Sequence, residues 1–555
     1  MRALERTIWL AWTVGLTVVF AAVAGRDLGK FRPVSSDDIE IMAVSYKLAE
    51  QGVLGSDLQT GFFHAEHHHF LTLPVQHVLQ ALSFRLFGAG IPEARGVTLT
   101  AALVLIWLVG WLAWRWYGLG AGLASQVLLV AWPSDLVPGY PGLPLLAVAR
   151  SARYDLTAVA FVWLSLALLD ATLAQPGRLK AFATGLCAGL AALTQFFGAF
   201  ALPLIGVSWL STRRRAWRDP ASYWMLGGAG VVVLPYAVYA SWFAQDVVGQ
   251  WSVHADREGF LTPAFYVTNL LREPARFAHL LDLPRPGTLH PDLLNRPISP
   301  WLLVLGTWPA LVWLGHRVYQ TGRPGDRMLL FSLLVLAVGL ALLDATKAPL
   351  YGVLLLPSVC VALAGSATAA LRWVWRSAGV PLRVVACSLA VCLLATMELE
   401  GLAAYQADRA RVVATSGYQE LGDRIEASVP PEARVLGPER WWWPLHEHPY
   451  LALRNVWRQW ELAAAAGERM PQFQAWLARD DAQFVVINDD VRQDITVFPE
   501  ALQRQFWAFL DTCSVPWADW SDVTYGDIQV RRVASAGPGA LTCETLTPGH
   551  VALGQ

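Results

Sequence analysis

Two adjacent carboxylates, Asp37 and Asp38, follow the first apolar run of the chain, which ends near residue 25. Neighbouring carboxylates perturb each other's pKa and can take a proton from a hydroxyl group, so the pair is a candidate base with a partner acid. A structural interpretation stays open beside it, because Ser35 or Ser36 followed by two acids is also a favourable helix start. The apolar side chains that follow recur at helical spacing, which is typical of a helix lying on a membrane surface.

Cations at two later positions are candidates for binding an anion. Arg150 and Arg153 precede Asp155 at the beginning of a long apolar run, and arginine forks bind phosphate well. Lys347 lies in a very short link between two apolar runs, where a charge is costly and indicates function by default. The structural alternatives are interfacial anchoring by the arginines and an ion pair between Lys347 and Asp344.

The run His64-Ala65-Glu66-His67-His68-His69 is unusual in its density of histidine. Consecutive side chains cannot all face one ion, and the run lacks the ligand spacing of a zinc site. We therefore name no metal ligand and expect the run to contact substrate or to form a polar loop. The participation of a divalent metal as a cofactor stays open.

Composition indicates an integral membrane protein. The 555 residues are 55% hydrophobic and only 15% charged, whereas soluble domains carry about 25% charged residues. The net charge of −1 gives no indication of a nucleic-acid partner, and no Walker or dinucleotide-binding motif is present. The apolar runs that predict about 11 membrane crossings are 8–25, 95–114, 119–133, 154–173, 181–196, 198–212, 221–243, 299–316, 328–345, 349–371 and 382–400.

Clusters of arginine and lysine between these runs predict which loops are cytoplasmic. About 11 crossings, or about 13 if Leu71–Gly88 and Leu136–Ala149 also cross, place the N-terminus inside and the C-terminal tail outside. The regions that then share the outer face are 26–70, 134–153, 244–298, the link at 345–348 and 401–555. The candidate residues above are consequently predicted to gather at one membrane surface.

Polarity divides the chain into a transmembrane part, residues 1–400, and a C-terminal part, residues 401–555. The elements predicted in the tail are strands at Arg434–Leu436, Phe484–Ile487 and Asp527–Val533 and a helix at Pro471–Arg479. This pattern is typical of a small α/β domain. Cys513 and Cys543 would be able to form a disulfide there in an oxidising compartment.

Five short motifs, taken in order over residues 1–400, resemble those of the integral-membrane glycosyltransferases of the GT-C fold, which use polyprenyl-phosphate sugars. Among these enzymes, the motifs look like those of the lipid A aminoarabinose transferases and the protein O-mannosyltransferases. The motifs are Asp37-Asp38 with Leu48-Ala49-Glu50-Gln51-Gly52, Leu73-Pro74 through Leu86-Phe87-Gly88, Arg153-Tyr154-Asp155, Ala192-Leu193-Thr194-Gln195 and Thr346-Lys347 through Leu356-Pro357. The chain departs from the pattern in Asp38, which replaces Glu, in a single proline after His69, and in Gln195, which replaces Lys.

The resemblance implies an α-helical polytopic membrane protein with a small C-terminal α/β extracytoplasmic domain. It implies an enzyme that moves a sugar from polyprenyl phosphate to an acceptor hydroxyl on a lipid, glycan or protein, with inversion, at the periplasmic face of a bacterial inner membrane. The roles it assigns are Asp37 and Asp38 in catalysis, Lys347, Arg150, Arg153 and His69 at the donor phosphate, and Asp155, Tyr351 and His67 at the substrate.

Three other functions stay open at this stage. A lipid or polysaccharide transporter or flippase would place polar groups near the bilayer midplane, often in paired broken helices. A Wzy-like polysaccharide polymerase would also be a membrane enzyme, with a different core. A non-catalytic scaffold would make the tail the functional part.

Overall fold

Long apolar helices form most of the described chain. The computed structural model describes residues 2–132, 144–213, 216–259, 262–280, 298–347, 349–377, 379–415, 417–465 and 482–533. The helices up to residue 415, apart from one described below, are Arg2–Gly25, Pro74–Phe87, Ile91–Tyr117, Leu119–Ala131, Pro144–Ala149, Asp155–Ala174, Arg178–Ala192, Ala201–Thr212, Pro220–Trp242, Ala244–Glu258, Pro263–Leu280, Ile298–Thr321, Pro324–Leu343, Leu356–Ser377 and Val380–Thr415. Each apolar run predicted to cross a membrane falls on one of them.

Seven helices within the described residues are long and apolar enough to cross a membrane. Six of them are Ala3–Gly25, Ile91–Tyr117, Asp155–Ala174, Pro220–Trp242, Pro324–Leu343 and Leu356–Ser377, and the seventh begins at Val380. Shorter apolar helices lie at Leu119–Ala131 and Phe196–Thr212. The predicted class, an α-helical polytopic membrane protein, is confirmed.

Small residues let two of these helices approach closely. A Cβ atom on Gly185 would lie 1.8 Å from the carbonyl oxygen of Met225, and one on Gly228 would lie 2.0 Å from the carbonyl oxygen of Phe182. Only glycine allows backbones to pack at that distance, which is the usual way in which membrane helices associate. The contact joins the Arg178–Ala192 helix to the Pro220–Trp242 helix and thereby supports the turn that follows residue 192.

The chain forms two units. The first unit comprises residues 1–29 and 71–410, and the second comprises residues 30–70 and 411–555. Six of the seven candidate membrane helices lie within the first unit, and the helix Val380–Thr415 extends beyond its last residue. The segment after the first helix therefore folds with the C-terminal part of the chain rather than with the helices on either side of it in sequence.

The second unit contains a five-stranded sheet. Its strands are β1 (Val435–Gly437), β2 (Tyr450–Ala452), β3 (Phe484–Ile487), β4 (Ser514–Asp522) and β5 (Gly526–Val533), in the order β2-β1-β3-β5-β4. β1 pairs in parallel with β2 and β3, whereas β5 is antiparallel to β3 and β4. Every residue of β1 and β3 is buried, as expected for the parallel centre of a sheet.

Helices complete the second unit around this sheet. They are Ser36–Gln51, Tyr418–Ser428, Leu453–Ala465, Asp489–Asp494 and Glu500–Cys513. A core that includes Leu436, Val485, Trp457 and Phe506 joins the strands to two of the helices. The predicted α/β organisation of the tail is confirmed, while the predicted Pro471–Arg479 helix lies outside the described residues.

Hydrogen bonds hold the 30–70 segment to the tail. The Val34 amide donates to the Tyr525 hydroxyl oxygen at 3.0 Å, and the Gln459 side chain donates to the Thr60 carbonyl oxygen at 2.9 Å. Cys513, at the end of its helix, is disulfide-bonded. Its predicted partner, Cys543, lies outside the described residues.

Candidate active site

A cavity of about 280 Å³ lies in the first unit. Its wall is built from the segment before the Pro74–Phe87 helix, the turn after the Arg178–Ala192 helix and the link after the Pro324–Leu343 helix. The aromatic residues that line it are Tyr154, Phe196, Phe197, Trp251 and Tyr351. Pockets for drug-sized ligands run from about 300 to 1,000 Å³, so this cavity fits a single sugar ring better than a longer glycan.

Asp155 lies beside this cavity, fully buried at the start of its helix. One carboxylate oxygen accepts a hydrogen bond from Arg153 Nε at 2.8 Å, and the other accepts one from Gln195 Nε2 at 2.7 Å. Gln195 lines the cavity, and its Oε1 atom is buried without a hydrogen-bond partner among the residues that the structure describes. The structure thus brings Arg153, Asp155 and the Lys-replacing Gln195 together.

Lys347 directly follows Asp344, Ala345 and Thr346, which line another wall of the cavity, and is not itself part of that wall. Its ammonium group is 2.9 Å from Glu273 Oε2 and donates to the Ala341 carbonyl oxygen at 2.8 Å. Its backbone has a φ of +53°, in the left-handed region that residues with a side chain rarely adopt. Such a conformation persists only where the surrounding contacts impose it, and it is found disproportionately at functional sites.

Two charged residues near Lys347 were not predicted from the sequence. Arg276 is fully buried and lies 2.7 Å from Glu273 and 2.8 Å from Asp344. Glu273, Arg276, Asp344 and Lys347 form a cluster, called here the charge quartet, with two cations and two anions. The only sequence signal for Glu273 and Arg276 is their i,i+3 spacing.

Arg150 contacts backbone carbonyl oxygens. Its guanidinium donates to the carbonyl oxygens of Ala24, Val23 (3.3 Å) and Asp27 (2.9 Å), at the end of the Arg2–Gly25 helix. A cation at a helix C-terminus satisfies carbonyl groups that have no partner within the helix. Arg150 is fully buried there and does not line the cavity.

In the second unit, Asp37 and Asp38 begin the Ser36–Gln51 helix in different ways. The Ser35 hydroxyl accepts from the Asp38 amide at 3.1 Å, and the Asp38 carboxylate accepts from the Ser35 amide at 3.4 Å. This is a capping box, and it uses the buried Asp38 to hold the helix start. Asp37 is exposed on the same first turn.

A charged cluster surrounds Asp37. Arg454 lies 3.6 Å from both Glu40 and Asp494, and Glu40 is one helical turn after Asp37. Burial raises the pKa of Glu40 to about 8, and the negative charges of Glu439 and Asp37 act in the same direction. Burial likewise raises the pKa of Glu439. The negative charge of Asp37 therefore acts on two neighbouring acids, Glu40 and Asp494.

The histidine run lies in a loop of the second unit. His69 is buried and its amide donates to the Leu54 carbonyl oxygen at 2.8 Å, whereas the ring of His67 is 4.0 Å from the Glu66 carboxylate. Among the described residues, no three histidine, cysteine or acidic side chains come together in a way that could hold a metal ion.

The membrane helices and the appended α/β unit together define the class: this is the GT-C fold of integral-membrane glycosyltransferases, as predicted from the motifs. The crystal structure of ArnT from Cupriavidus metallidurans bound to undecaprenyl phosphate matches with a TM-score of 0.61 and 17% identity, over 95% of this chain and 99% of that one. ArnT in the apo state matches with a TM-score of 0.59 and 16% identity, over the same shares of the two chains.

An archaeal protein shares the fold as well. The oligosaccharyltransferase AglB from Archaeoglobus fulgidus, in complex with an inhibitory peptide and a dolichol-phosphate, matches with a TM-score of 0.51 and 12% identity, over 93% of this chain and 74% of that one. No protein-family profile matches the sequence. No curated protein sequence is significantly similar to it either. The similarity therefore lies in the fold, and the site must carry the argument about function.

Proposed function

We propose that this multi-pass membrane protein transfers a single sugar from a polyprenyl-phosphate donor to an acceptor hydroxyl, with inversion. The observation that carries the proposal is the charge quartet beside an aromatic cavity of about 280 Å³. A lysine in such a cluster, next to a sugar-sized aromatic pocket, supplies a cation that a sugar phosphate requires. The matches to membrane proteins bound to undecaprenyl phosphate and dolichol-phosphate support a lipid-phosphate donor.

The charge quartet is able to release Lys347 to a phosphate. Glu273 contacts Arg276 through both of its carboxylate oxygens, at 2.7 and 3.3 Å, as well as contacting Lys347. When a phosphate takes Lys347, Glu273 keeps a charged partner and is not left as an unpaired buried anion, which would be strongly unfavourable. Lys347 is therefore the proposed phosphate contact, and Arg276 stabilises the anions that remain.

The charge balance of the reaction explains the need for a cation. A sugar–phosphate–lipid donor carries one negative charge, and the bond that breaks joins the anomeric carbon to a phosphate oxygen. The departing lipid phosphate gains a second negative charge, which Lys347 would neutralise as it develops. The new bond joins the acceptor oxygen to the anomeric carbon from the opposite face.

Asp37 is the proposed base that takes the proton from the acceptor hydroxyl. It is exposed at a helix start, whereas Asp38 is committed to the capping box and would support Asp37 by holding that turn. Asp155, Tyr351 and Arg153 are proposed to shape the donor pocket. His67 and His69 stay as predictions for substrate and phosphate contact. The proposed setting is a bacterial inner membrane with the active site and the second unit on the periplasmic face.

Binding of undecaprenyl phosphate to the purified protein in detergent tests this account of the quartet. Lys347→Met should weaken binding about tenfold or more, because a hydrogen bond to a charged group contributes about 1.5–3 kcal/mol. Glu273→Gln should leave binding unchanged or make it tighter, since Lys347 loses a competing anion. If both variants weaken binding equally, the quartet only stabilises the fold and the proposal for Lys347 is wrong.

The main alternative is a lipid or polysaccharide transporter or flippase, with a Wzy-like polymerase as the second. A transporter would bind the lipid phosphate without releasing a sugar from it. Donor turnover therefore separates these functions where binding does not.

A further inference from the structure

One residue in the cavity wall has a buried polar atom that the proposed reaction has not used. Gln195 is only 5% exposed, and its side-chain carbonyl oxygen has no hydrogen-bond partner among the described residues. Buried polar groups are nearly always hydrogen-bonded, so an exception in the wall of a cavity indicates a ligand atom. The question is which kind of atom this oxygen would bind.

The orientation of the Gln195 amide follows from its partner. Its nitrogen lies 2.7 Å from Asp155 Oδ1, and a carboxylate that is paired with Arg153 acts as a hydrogen-bond acceptor. The NH₂ end must therefore face Asp155, and the carbonyl oxygen is the other end. A carbonyl oxygen only accepts, so the group that satisfies it must be a donor.

Three threonine side chains in the wall already have hydrogen-bond partners. The Thr194 hydroxyl donates to the Leu190 carbonyl oxygen at 2.7 Å, and the Thr346 hydroxyl donates to Asp344 at 2.6 Å. The Thr72 hydroxyl is 2.6 Å from the ring nitrogen of His77. Much of the remaining wall is aromatic, and this gives the cavity shape but little polar selectivity. Gln195 is therefore the residue in this wall best placed to accept a hydrogen bond from a polar group on a sugar.

We propose that Gln195 is a specificity-determining residue that accepts a hydrogen bond from a hydroxyl or amino group of the donor sugar. This inference rests on the proposed function and deepens it. The pocket then takes neutral sugars or amino sugars that carry a free donor at the matching ring position. It disfavours uronic acids, because their carboxylate would face the acceptor oxygen of Gln195 and the nearby carboxylate of Asp155.

The size of the effect follows from how such sites discriminate. Shape alone separates related ligands by about 10- to 200-fold at most, whereas a site built to hydrogen-bond a hydroxyl group discriminates more strongly against an analogue that lacks it. Loss of the acceptor oxygen should therefore change selectivity between sugars and leave affinity for the bare lipid phosphate unchanged. If Gln195 had a purely structural role, its loss would weaken the binding of the sugar donors and of the bare lipid phosphate alike.

The test compares four ligands on the full-length protein in detergent: undecaprenyl phosphate alone, and undecaprenyl phosphate carrying a neutral hexose, a 4-amino sugar or a hexuronic acid. The wild type should bind the hexose or the amino-sugar donor about tenfold or more tightly than the uronic-acid donor. Gln195→Met, which keeps the length of the side chain without the acceptor, should reduce that ratio below about threefold and bind undecaprenyl phosphate as the wild type does. Gln175→Met, the same change at an exposed position outside the cavity, should keep the wild-type ratio.

The outcomes separate this inference from the function beneath it. A wild type that binds none of the four ligands overturns the proposed function. A wild type that binds undecaprenyl phosphate but prefers the uronic-acid donor, or does not distinguish the sugars, overturns the role of Gln195 alone. An unchanged ratio in Gln195→Met, or an equal loss for all four ligands, also overturns it. If Gln195→Met does not fold, the wild-type comparison can still overturn the inference.

Discussion

Glu40 shows how neighbouring charges change the behaviour of a single side chain. It lies one turn after Asp37, 3.6 Å from Arg454, and within the electrostatic reach of Glu439. Burial and the two acids raise its pKa to about 8, although Arg454 and Arg458 act against them. The candidate base therefore has a neighbour that holds a proton at neutral pH.

This raised pKa predicts a pH-dependent stability. The pKa of Glu40 is about 8 in the folded protein and 4.5 for the free side chain, so the folded state binds the extra proton between those values. Stability must then fall as the pH rises through that window, because the folded state binds more protons there than the unfolded state. Glu40→Gln removes this contribution. The melting temperature of the variant minus that of the wild type should therefore increase as the pH rises from about 5 to about 9.

Thermal unfolding followed by tryptophan fluorescence across that pH range would check the prediction. Glu439 and Asp494, whose pKa values burial also raises, contribute in the same direction in both proteins, so only the difference between the two curves is informative. Glu50→Gln, at an exposed acid near the end of the same helix, is the matched control and should follow the wild type. Parallel curves for Glu40→Gln and the wild type would contradict the account.

The residues of the site differ in how well the sequence predicts them. Lys347 could be identified because a lone cation in a short apolar link is rare, but the sequence suggested Asp344 as its partner and the structure pairs it with Glu273. Glu273 and Arg276 were missed because Pro274 between them argues against a helix, although the Pro263–Leu280 helix includes it. The unpartnered oxygen of Gln195 depends on Asp155, 40 residues away, and no local pattern indicates it.

At the level of elements, Arg150 completes the end of the first helix. It donates to three carbonyl oxygens of residues 23–27. Arg150→Met should lower the free energy of unfolding by about 2 kcal/mol or more, since buried carbonyls lose a charged donor. Affinity of the folded variant for undecaprenyl phosphate should change less than about twofold, because the substitution removes no contact to the phosphate. A twofold change is well below the tenfold change that corresponds to 1.4 kcal/mol.

Lys347→Met serves as the comparison. Its affinity for undecaprenyl phosphate should be lower than that of Arg150→Met, and its free energy of unfolding should fall by less. Binding and thermal unfolding would be measured on the same preparations. A tenfold loss of binding in Arg150→Met with an unchanged melting temperature would restore the phosphate role that the motifs imply for this arginine.

Close helix packing gives a second prediction at this level. Gly228→Ala would place a methyl group 2.0 Å from the Phe182 carbonyl oxygen, whereas nothing lies within 4 Å of a Cβ on the adjacent Gly227. Overpacking of this kind costs about 1–3 kcal/mol, so Gly228→Ala should lower the melting temperature in detergent. Gly227→Ala should be neutral or stabilising by up to about 1 kcal/mol, because alanine favours the helix. Equal effects of the two changes would contradict the packing described here.

Element positions followed from sequence wherever one local pattern dominated. Hydropathy located the long helices, and the apolar run Phe484–Ile487 predicted β3 without error. β4 was missed because it contains Pro516 and acidic residues, which are tolerated because it is an edge strand with a bulge. The assignment of residues 30–70 to the C-terminal unit depends on contacts such as that between Val34 and Tyr525, which are almost 500 residues apart in the chain and leave no local signal.

For the whole molecule, two units carry different parts of the proposed chemistry. The first unit holds the cavity, Gln195 and the charge quartet, and the second holds Asp37 with its surrounding charges. Composition was enough to predict the membrane class, and the order of the motifs was enough to predict the fold. The identity of the sugar depends on the shape and polarity of the cavity wall, which several distant segments build together.

Release of sugar from a lipid-phosphate donor is the reaction that defines the proposed enzyme. Purified protein in detergent would be incubated with radiolabelled polyprenyl-phosphate sugars and a lipid, glycan or peptide acceptor, with Asp37→Asn and Glu50→Gln beside the wild type. We expect the wild type and Glu50→Gln to release sugar from at least one donor, and Asp37→Asn to lose about 10²- to 10⁴-fold, the usual contribution of a general base. Full turnover by Asp37→Asn would contradict the assignment of the base, and absence of turnover together with absence of donor binding in the wild type would contradict the transferase function itself.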